Sequence, residues 1–269
     1  MLKVRVLTAA ILSCLLLLGL FALAPRWMVL VFAAVLVGGA WEWGGFGELR
    51  PAARAGYAAG VAALLWAAWR FTAQPSHLIG LLTAACLWWT GALLWIVAAP
   101  ARRRPVLALF VGVAVLVPAF VAIARLLGAS GGVARGPVLV LWLLLLVIAA
   151  DVGGFFVGRR FGRHKLAPRV SPGKTWEGAA GGLAAVALVA AAGAVRFSLP
   201  VAGAVGFGCA VGLFSIVGDL TESQCKRSAG LKDSGHLLPG HGGILDRIDS
   251  ITAAAPLYAL GLFGSGVIS

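Results

Sequence analysis

An all-α, polytopic integral membrane protein is the fold class this sequence predicts, on three observations. Of its 269 residues 61% are hydrophobic, the mean hydropathy is +0.99, and only 12% are charged. That is too little charge to cover a water-soluble domain of this size. The apolar residues fall in nine runs, near 6–24, 28–46, 55–73, 77–99, 105–127, 137–157, 178–195, 200–218 and 250–268, each close to the ~20 residues that cross a bilayer as a helix. None of the runs alternates apolar and polar residues as barrel strands do.

Taken in order, the first run follows Lys3 and Arg5 and ends at Ala22-Leu23-Ala24, a layout that imitates a secretion signal. Its length and the runs behind it predict an uncleaved first helix. The second run holds Glu42 between Trp41 and Trp43, which an interfacial aromatic belt with a snorkelling acid explains at least as well as a functional role does. Arg70 interrupts the third late. The sixth contains Asp151 near its end, where an unpaired ionised Asp costs about 2.5–3.5 kcal/mol, so Asp151 is expected to be paired or functional. Ser171 to Gly178 reads as the start of the seventh helix, with Thr175 as its cap. Gly178/Gly182 and Gly208/Gly212 suit close helix packing, though an Ala/Gly-rich chain also offers such pairs by chance. Asp219 ends the eighth run, and Asp246 and Asp249 open the ninth. No internal repeat marks a transporter built from related halves. Cys14, Cys86, Cys209 and Cys225 form no CxxC pair and suggest neither a disulfide framework nor a zinc site.

Orientation follows from the cations. With the N-terminus in the cytoplasm, only Arg26, Arg70, Arg125, Arg135 and Arg196 lie outside, leaving 17 of the 22 Lys and Arg inside. An odd number of spans then puts the C-terminus outside. All nine acids also fall at inner span ends or in inner loops. The chain therefore has one chemical face, and a net charge of +13 suits it to anionic lipids and polyanionic solutes.

The densest polar segment is 215–249, SIVGDLTESQCKRSAGLKDSGHLLPGHGGILDRID, with five of the nine acids. Polar groups between apolar spans are costly to keep without a function. Asp219, Asp246 and Asp249 at the inner ends of two helices form a candidate set for a hard cation such as Mg²⁺. The plainer alternative pairs them with Lys226, Arg227, Lys232 or Arg247. The turn Pro239-Gly240-His241-Gly242-Gly243 is suited to an anion-binding nest leading into a helix N-terminus, with His241 able to donate to phosphate; taken alone it reads at least as well as an ordinary tight turn with a surface His. In the loop 151–177, Gly173-Lys174-Thr175 resembles the end of a P-loop, but its first glycine would fall at Pro168 and no strand precedes it, so that motif is rejected.

Ser223-x-x-Lys226-Arg227-x4-Lys232-Asp233-Ser234-Gly235-x3-Pro239-Gly240-His241-Gly242-Gly243-Ile244-x-Asp246-Arg247-x-Asp249 resembles the signature of the phosphatidate cytidylyltransferases, or CDP-diacylglycerol synthases. Ala150-Asp151 with Gly-Phe-Phe-x-Gly, and Ser171-Pro172-x-Lys174-Thr175-Trp176-Glu177-Gly178, are similar to that family too. The likeness covers about 148–252; the first five spans share only hydropathy. Cys225 departs from the larger aliphatic residue usual there. The resemblance implies cytidylyl transfer from CTP to phosphatidate with release of pyrophosphate, a Mg²⁺ requirement with a second cation left open, and a homodimer. It implies catalytic roles for Asp219, Lys226, Arg227, Lys232, Asp233, His241, Asp246 and Arg247. Asp151, Ser171, Lys174, Thr175, Ser223, Gly242 and Gly243 would bind substrate, and Asp219, Asp246 and Asp249 the metal. Such an enzyme is one transmembrane domain, 1–269, with N-terminal helices over 1–135 and the catalytic helices and cytoplasmic loops over 137–269. It would sit in a bacterial inner membrane and take CTP, phosphatidate and membrane lipids as partners, with no nucleic acid. A lipid or polyprenol kinase and a transporter for an anionic solute are the rival readings. A CDP-alcohol phosphotransferase is disfavoured because its DG-x2-AR pattern is absent.

Overall fold

In a computed structural model the described residues are 2–98, 102–129, 136–235, 237 and 242–267. They form nine helices: α1 (Leu2–Ala22), α2 (Pro25–Phe46), α3 (Pro51–Phe71), α4 (Pro75–Ala98), α5 (Pro105–Gly128), α6 (Gly136–Phe161), α7 (Trp176–Phe197), α8 (Val201–Ser228) and α9 (Leu245–Gly264). The fold is all-α and polytopic. Proline stands first in α2, α3, α4 and α5, where its missing N–H is no loss and its fixed φ suits a helix start.

Among the described residues six helices, α2 and α4–α8, are long and apolar enough to cross a membrane. Leu18, Trp66, Phe71, Leu87, Val97, Phe110, Leu188 and Val195 lie on their outer surfaces or those of α1 and α3, as lipid-facing side chains do. α5 is the most enclosed of these helices, with Leu116, Ala119, Val121, Ala122 and Leu126 inaccessible. It packs against α2, α3 and α9, while α6, α7, α8 and α9 pack on one another. At one end of α5, Trp43 Nε1 donates to the Ala108 carbonyl (2.7 Å) and Tyr57 Oη to that of Leu109 (2.8 Å). An Arg103–Glu48 ion pair ties the same end to the turn after α2, and its hydrogen bonds hold the Glu48 carboxyl below the usual range.

Two expectations about boundaries change. α8 does not stop near Asp219 but runs to Ser228, so Ser223, Lys226 and Arg227 are helical rather than in a loop. The apolar run ends before the helix does, because polar helix formers continue it. The segment before α7 is also not the start of a helix. Lys165–Ala167 (β1) and Ser171–Thr175 (β2) pair antiparallel, with Lys165 opposite Thr175 and Ala167 opposite Ser171. Thr175 is nonetheless the N-cap of α7, accepting from Gly178 N at 3.1 Å.

Candidate active site

α6 and α7 approach closely enough for backbone to meet backbone. A Cβ on Gly153 would stand 2.7 Å from the Gly181 carbonyl, and one on Gly182 would stand 2.6 Å from that of Ala150. Only glycine permits this contact. Where the seam leaves the apolar layer, Glu177 clamps the chain that turns back into the hairpin. Its carboxylate accepts from Arg163 N at 3.1 Å and His164 N at 3.2 Å, and it meets His164 Nδ1 at 2.6 Å. The hairpin, α6 and α8 then enclose a cavity of about 490 Å³. Asp151, Arg159, Ser171, Lys174, Thr175 and Asp219 supply its polar wall, and Phe155, Leu166 and Ile216 part of its apolar wall.

α8 presents the chemistry as a stripe. Asp219, Glu222, Ser223 and Lys226 stand at i, i+3, i+4 and i+7, on one helix face. Asp219 Oδ2 pairs with Lys174 Nζ at 2.6 Å, and Ser223 Oγ lies 3.4 Å from Asp219 Oδ1. Lys226 Nζ bridges Glu222 Oε2 at 2.9 Å and Asp246 Oδ1 at 2.6 Å. Lys226 is 9% exposed, and an ammonium so enclosed needs such partners. The other oxygen of Asp246, Oδ2, accepts from Gly243 N (3.0 Å), Ser234 N (3.2 Å) and Ser234 Oγ (3.0 Å). Asp249 lies in the field of Asp219, and its carboxyl rests against that of Glu222, whose Oε1 has no donor. Two carboxyl groups in contact need a proton or a cation between them.

The expected residues thus divide. Asp151, Ser171, Lys174, Thr175 and Asp219 meet at the cavity, and Ser223, Lys226, Asp246 and Asp249 continue from it along α8 and the start of α9. Gly242, at φ +83°, takes a backbone conformation that favours glycine. A Cβ there would also stand 3.0 Å from Asp246 Oδ2. Arg227 is turned to the backbone, donating to the carbonyls of Val170 (3.4 Å) and Leu231 (3.2 Å). Lys232 and Asp233 are exposed on the bend after α8, and Arg247 is exposed on α9. His241 lies outside the described residues. Asp246 and Asp249 leave the same helix turn for different partners. Among the described residues no three carboxylate, His or Cys side chains form a ready-made metal group. The pairing alternative holds in part: Asp246 meets Lys226, one of the expected cations, while Asp219 meets Lys174 of the hairpin instead.

Three participants were not foreseen. Glu222 was signalled by its spacing from Asp219 and Lys226. Ser234 lies inside the signature. Glu42 does not snorkel in an aromatic belt: it is 3% exposed and accepts from Ser234 Oγ (3.0 Å), Ile244 N (3.1 Å) and Leu245 N (3.0 Å). The available signal was an acid placed inside an apolar run, which demands a partner.

A family model described as the cytidylyltransferase family matches residues 3–263. The chain belongs to this family. It is 42% identical to a phosphatidate cytidylyltransferase of Pseudomonas aeruginosa, over 99% of this chain and 98% of that one. It is 38% identical to one of Haemophilus influenzae, over 96% and 98%. A phosphatidate cytidylyltransferase of Brucella suis is 48% identical over 47% of the chain. The cytidylyltransferase likeness therefore extends well beyond 148–252 and takes in α1–α5, where Glu42 resides.

Proposed function

We propose that this cytidylyltransferase transfers the cytidylyl group of CTP to phosphatidate, giving CDP-diacylglycerol and pyrophosphate for phospholipid biosynthesis. The observation that carries the reading is the near full-length likeness to two bacterial phosphatidate cytidylyltransferases. The cavity agrees in size and chemistry. At about 490 Å³ it falls in the range of small-molecule sites, roughly 300–1,000 Å³, and charged groups line part of it.

In the reaction a phosphate oxygen of phosphatidate forms a bond to the α-phosphorus of CTP, and the bond from that phosphorus to the β-phosphate bridge breaks. Pyrophosphate leaves with the electron pair. Two polyanions must approach, so catalysis is chiefly positioning and charge neutralisation, with no Ser or Cys nucleophile. Lys174 is placed to take a phosphate oxygen in exchange for Asp219. Ser171 and Thr175 offer hydroxyls on the same wall. Lys226 neutralises charge at the α8–α9 end.

Carboxylate oxygens of the kind that Mg²⁺ takes are present at the site, though no three of them converge among the described residues. Asp219, Asp246 and Asp249 offer hard carboxylate oxygens, and Mg²⁺ with a nucleotide typically takes one or two carboxylates and completes its shell with phosphate and water. Asp246 Oδ1 would serve only in exchange for the Lys226 ammonium. When bound, the ion supplies positive charge to the phosphate oxygens. A second cation and a homodimer, tested by cross-linking in native membranes, belong to the same proposal.

Purified protein given CTP, phosphatidate and Mg²⁺ is expected to release pyrophosphate and CDP-diacylglycerol in equal amounts. Formation of a nucleoside diphosphate with a lipid alcohol would favour the kinase reading instead. Lipid retention in the bilayer, about 0.8 kcal/mol per buried CH₂, confines the reaction to headgroup level. The Lys/Arg asymmetry supports the cytoplasmic face for that level, in a bacterial inner membrane, with the C-terminus outside. A reporter active only in the periplasm and fused after Ser269 should be active; silence there, with a cytoplasmic reporter active, would change the number of crossings by one.

A further inference from the structure

The polar loop of the site is held from a distance by a helix with no other part in it. Glu42 projects from the C-terminal half of α2, and its carboxylate accepts two backbone N–H groups at the start of α9, those of Ile244 and Leu245, and the hydroxyl of Ser234. The first turn of a helix has unsatisfied N–H donors and favours negative charge. Here the cap comes from a residue about 200 positions upstream. Ser234 Oγ stands 3.0 Å from Glu42 Oε2 and 3.0 Å from Asp246 Oδ2. A hydroxyl has one proton to give, so both carboxylates contend for it, and the geometry of one sets that of the other.

Neighbouring residues clear space for this contact. A Cβ on Gly235 would stand 2.5 Å from Glu42 Oε1, and one on Gly243 would stand 2.5 Å from Glu42 Oε2 and 1.9 Å from Ser234 Oγ. One turn earlier on α2, a Cβ on Gly38 would meet Ile244 Cδ1 at 2.8 Å, and one on Gly39 would meet Leu245 Cδ2 at 2.9 Å. Gly38, Gly39 and Glu42 thus form a seat against which α9 begins.

We propose that Glu42 is a positioning residue for cytidylyl transfer: it fixes the start of α9 and, through Ser234, the orientation of the Asp246 carboxylate toward Lys226. The inference rests on the proposed placement of the reaction at the Asp219–Asp246 face, and α2 contributes to that face without touching substrate.

The test compares Glu42→Gln, Glu42→Asp and Ser234→Ala with the parent protein in detergent, measuring kcat, KM for CTP and thermal melting. Glu42→Gln is expected to lower kcat by about 10–100-fold, the range for residues that orient reacting groups from behind, with KM for CTP changed less than threefold. Glu42→Asp is expected to recover part of the loss. Ser234→Ala leaves the bonds of Glu42 to Ile244 and Leu245 in place and is expected to lower kcat in the same direction. The double variant should lose less than the product of the two single losses, because both act on one chain of contacts. A Glu42→Gln protein with parental kcat overturns the proposal. So does a loss that disappears on assay well below its melting temperature, since Glu42 would then be structural only. If Glu42→Gln does not fold, parental kcat in Ser234→Ala overturns it. A parent protein inactive with CTP and phosphatidate would count against the function, whereas an active parent with indifferent variants would count against Glu42 alone.

Discussion

Asp246→Asn is expected to lower turnover by at least about 100-fold while the protein still inserts and folds. The substitution keeps the volume and removes one negative charge from a carboxylate that meets Lys226 at 2.6 Å and takes three further donors from Ser234 and Gly243. Folding survives because Lys226 retains Glu222 at 2.9 Å, so the buried ammonium is not left alone. An uncompensated buried charge would cost about 3–5 kcal/mol. Activity should not survive, because an electrostatic contribution of about 3 kcal/mol to the transferring phosphate corresponds to roughly 100-fold in rate. Asp219→Asn should behave similarly. Rates measured at saturating Mg²⁺ check this, and near-parental turnover in either variant would remove that residue from the proposed cation site.

Lys174→Ala is expected to cost about 10–100-fold in kcat/KM, from loss of a charge-assisted bond worth about 1.5–3 kcal/mol. Arg70→Ala, at the far end of α3 and exposed, should change kinetics by less than about twofold, as exposed surface positions usually do. The contrast tests the hairpin as a wall of the reaction site. Should both variants keep parental kinetics, the loop is only a determinant of topology and the site shrinks to 219–249.

Much of the architecture was legible because apolar runs of span length placed all nine helices. The i, i+3, i+4, i+7 spacing of Asp219, Glu222, Ser223 and Lys226 on α8 was not, because the apolar run stops near Asp219. The glycine pairs were legible too: Gly178 and Gly182 meet α6, and a Cβ on Gly208 would stand 2.5 Å from Ala190 Cβ. Hydropathy cannot mark where a helix ends once polar residues sustain it, so α8 was drawn short by about ten residues. The hairpin escaped because its strands have three and five residues and are secured by Glu177 rather than by an alternating pattern. Shared-face spacing grouped Asp246 with Asp249, but it cannot tell which neighbouring helix each side chain meets. Glu42 was the hardest, since two of its three partners are backbone N–H groups about 200 residues away and carry no sequence signal.

The lysine–carboxylate pairs have a consequence for admission to the cavity. Lys174 and Asp219 neutralise each other at 2.6 Å, whereas Lys226 is shared between Asp246 and Glu222. A phosphate arriving by itself would claim a lysine and strand an aspartate; a divalent ion arriving by itself would claim an aspartate and strand a lysine. Either entry leaves an unmatched charge in a partly buried site. A nucleotide that travels with its counter-ion can trade partners with a whole pair at once, salt for salt, and leave nothing unmatched. At the proposed nucleotide site the resting Lys174–Asp219 bridge would thus favour an ion-complexed nucleotide over either component alone.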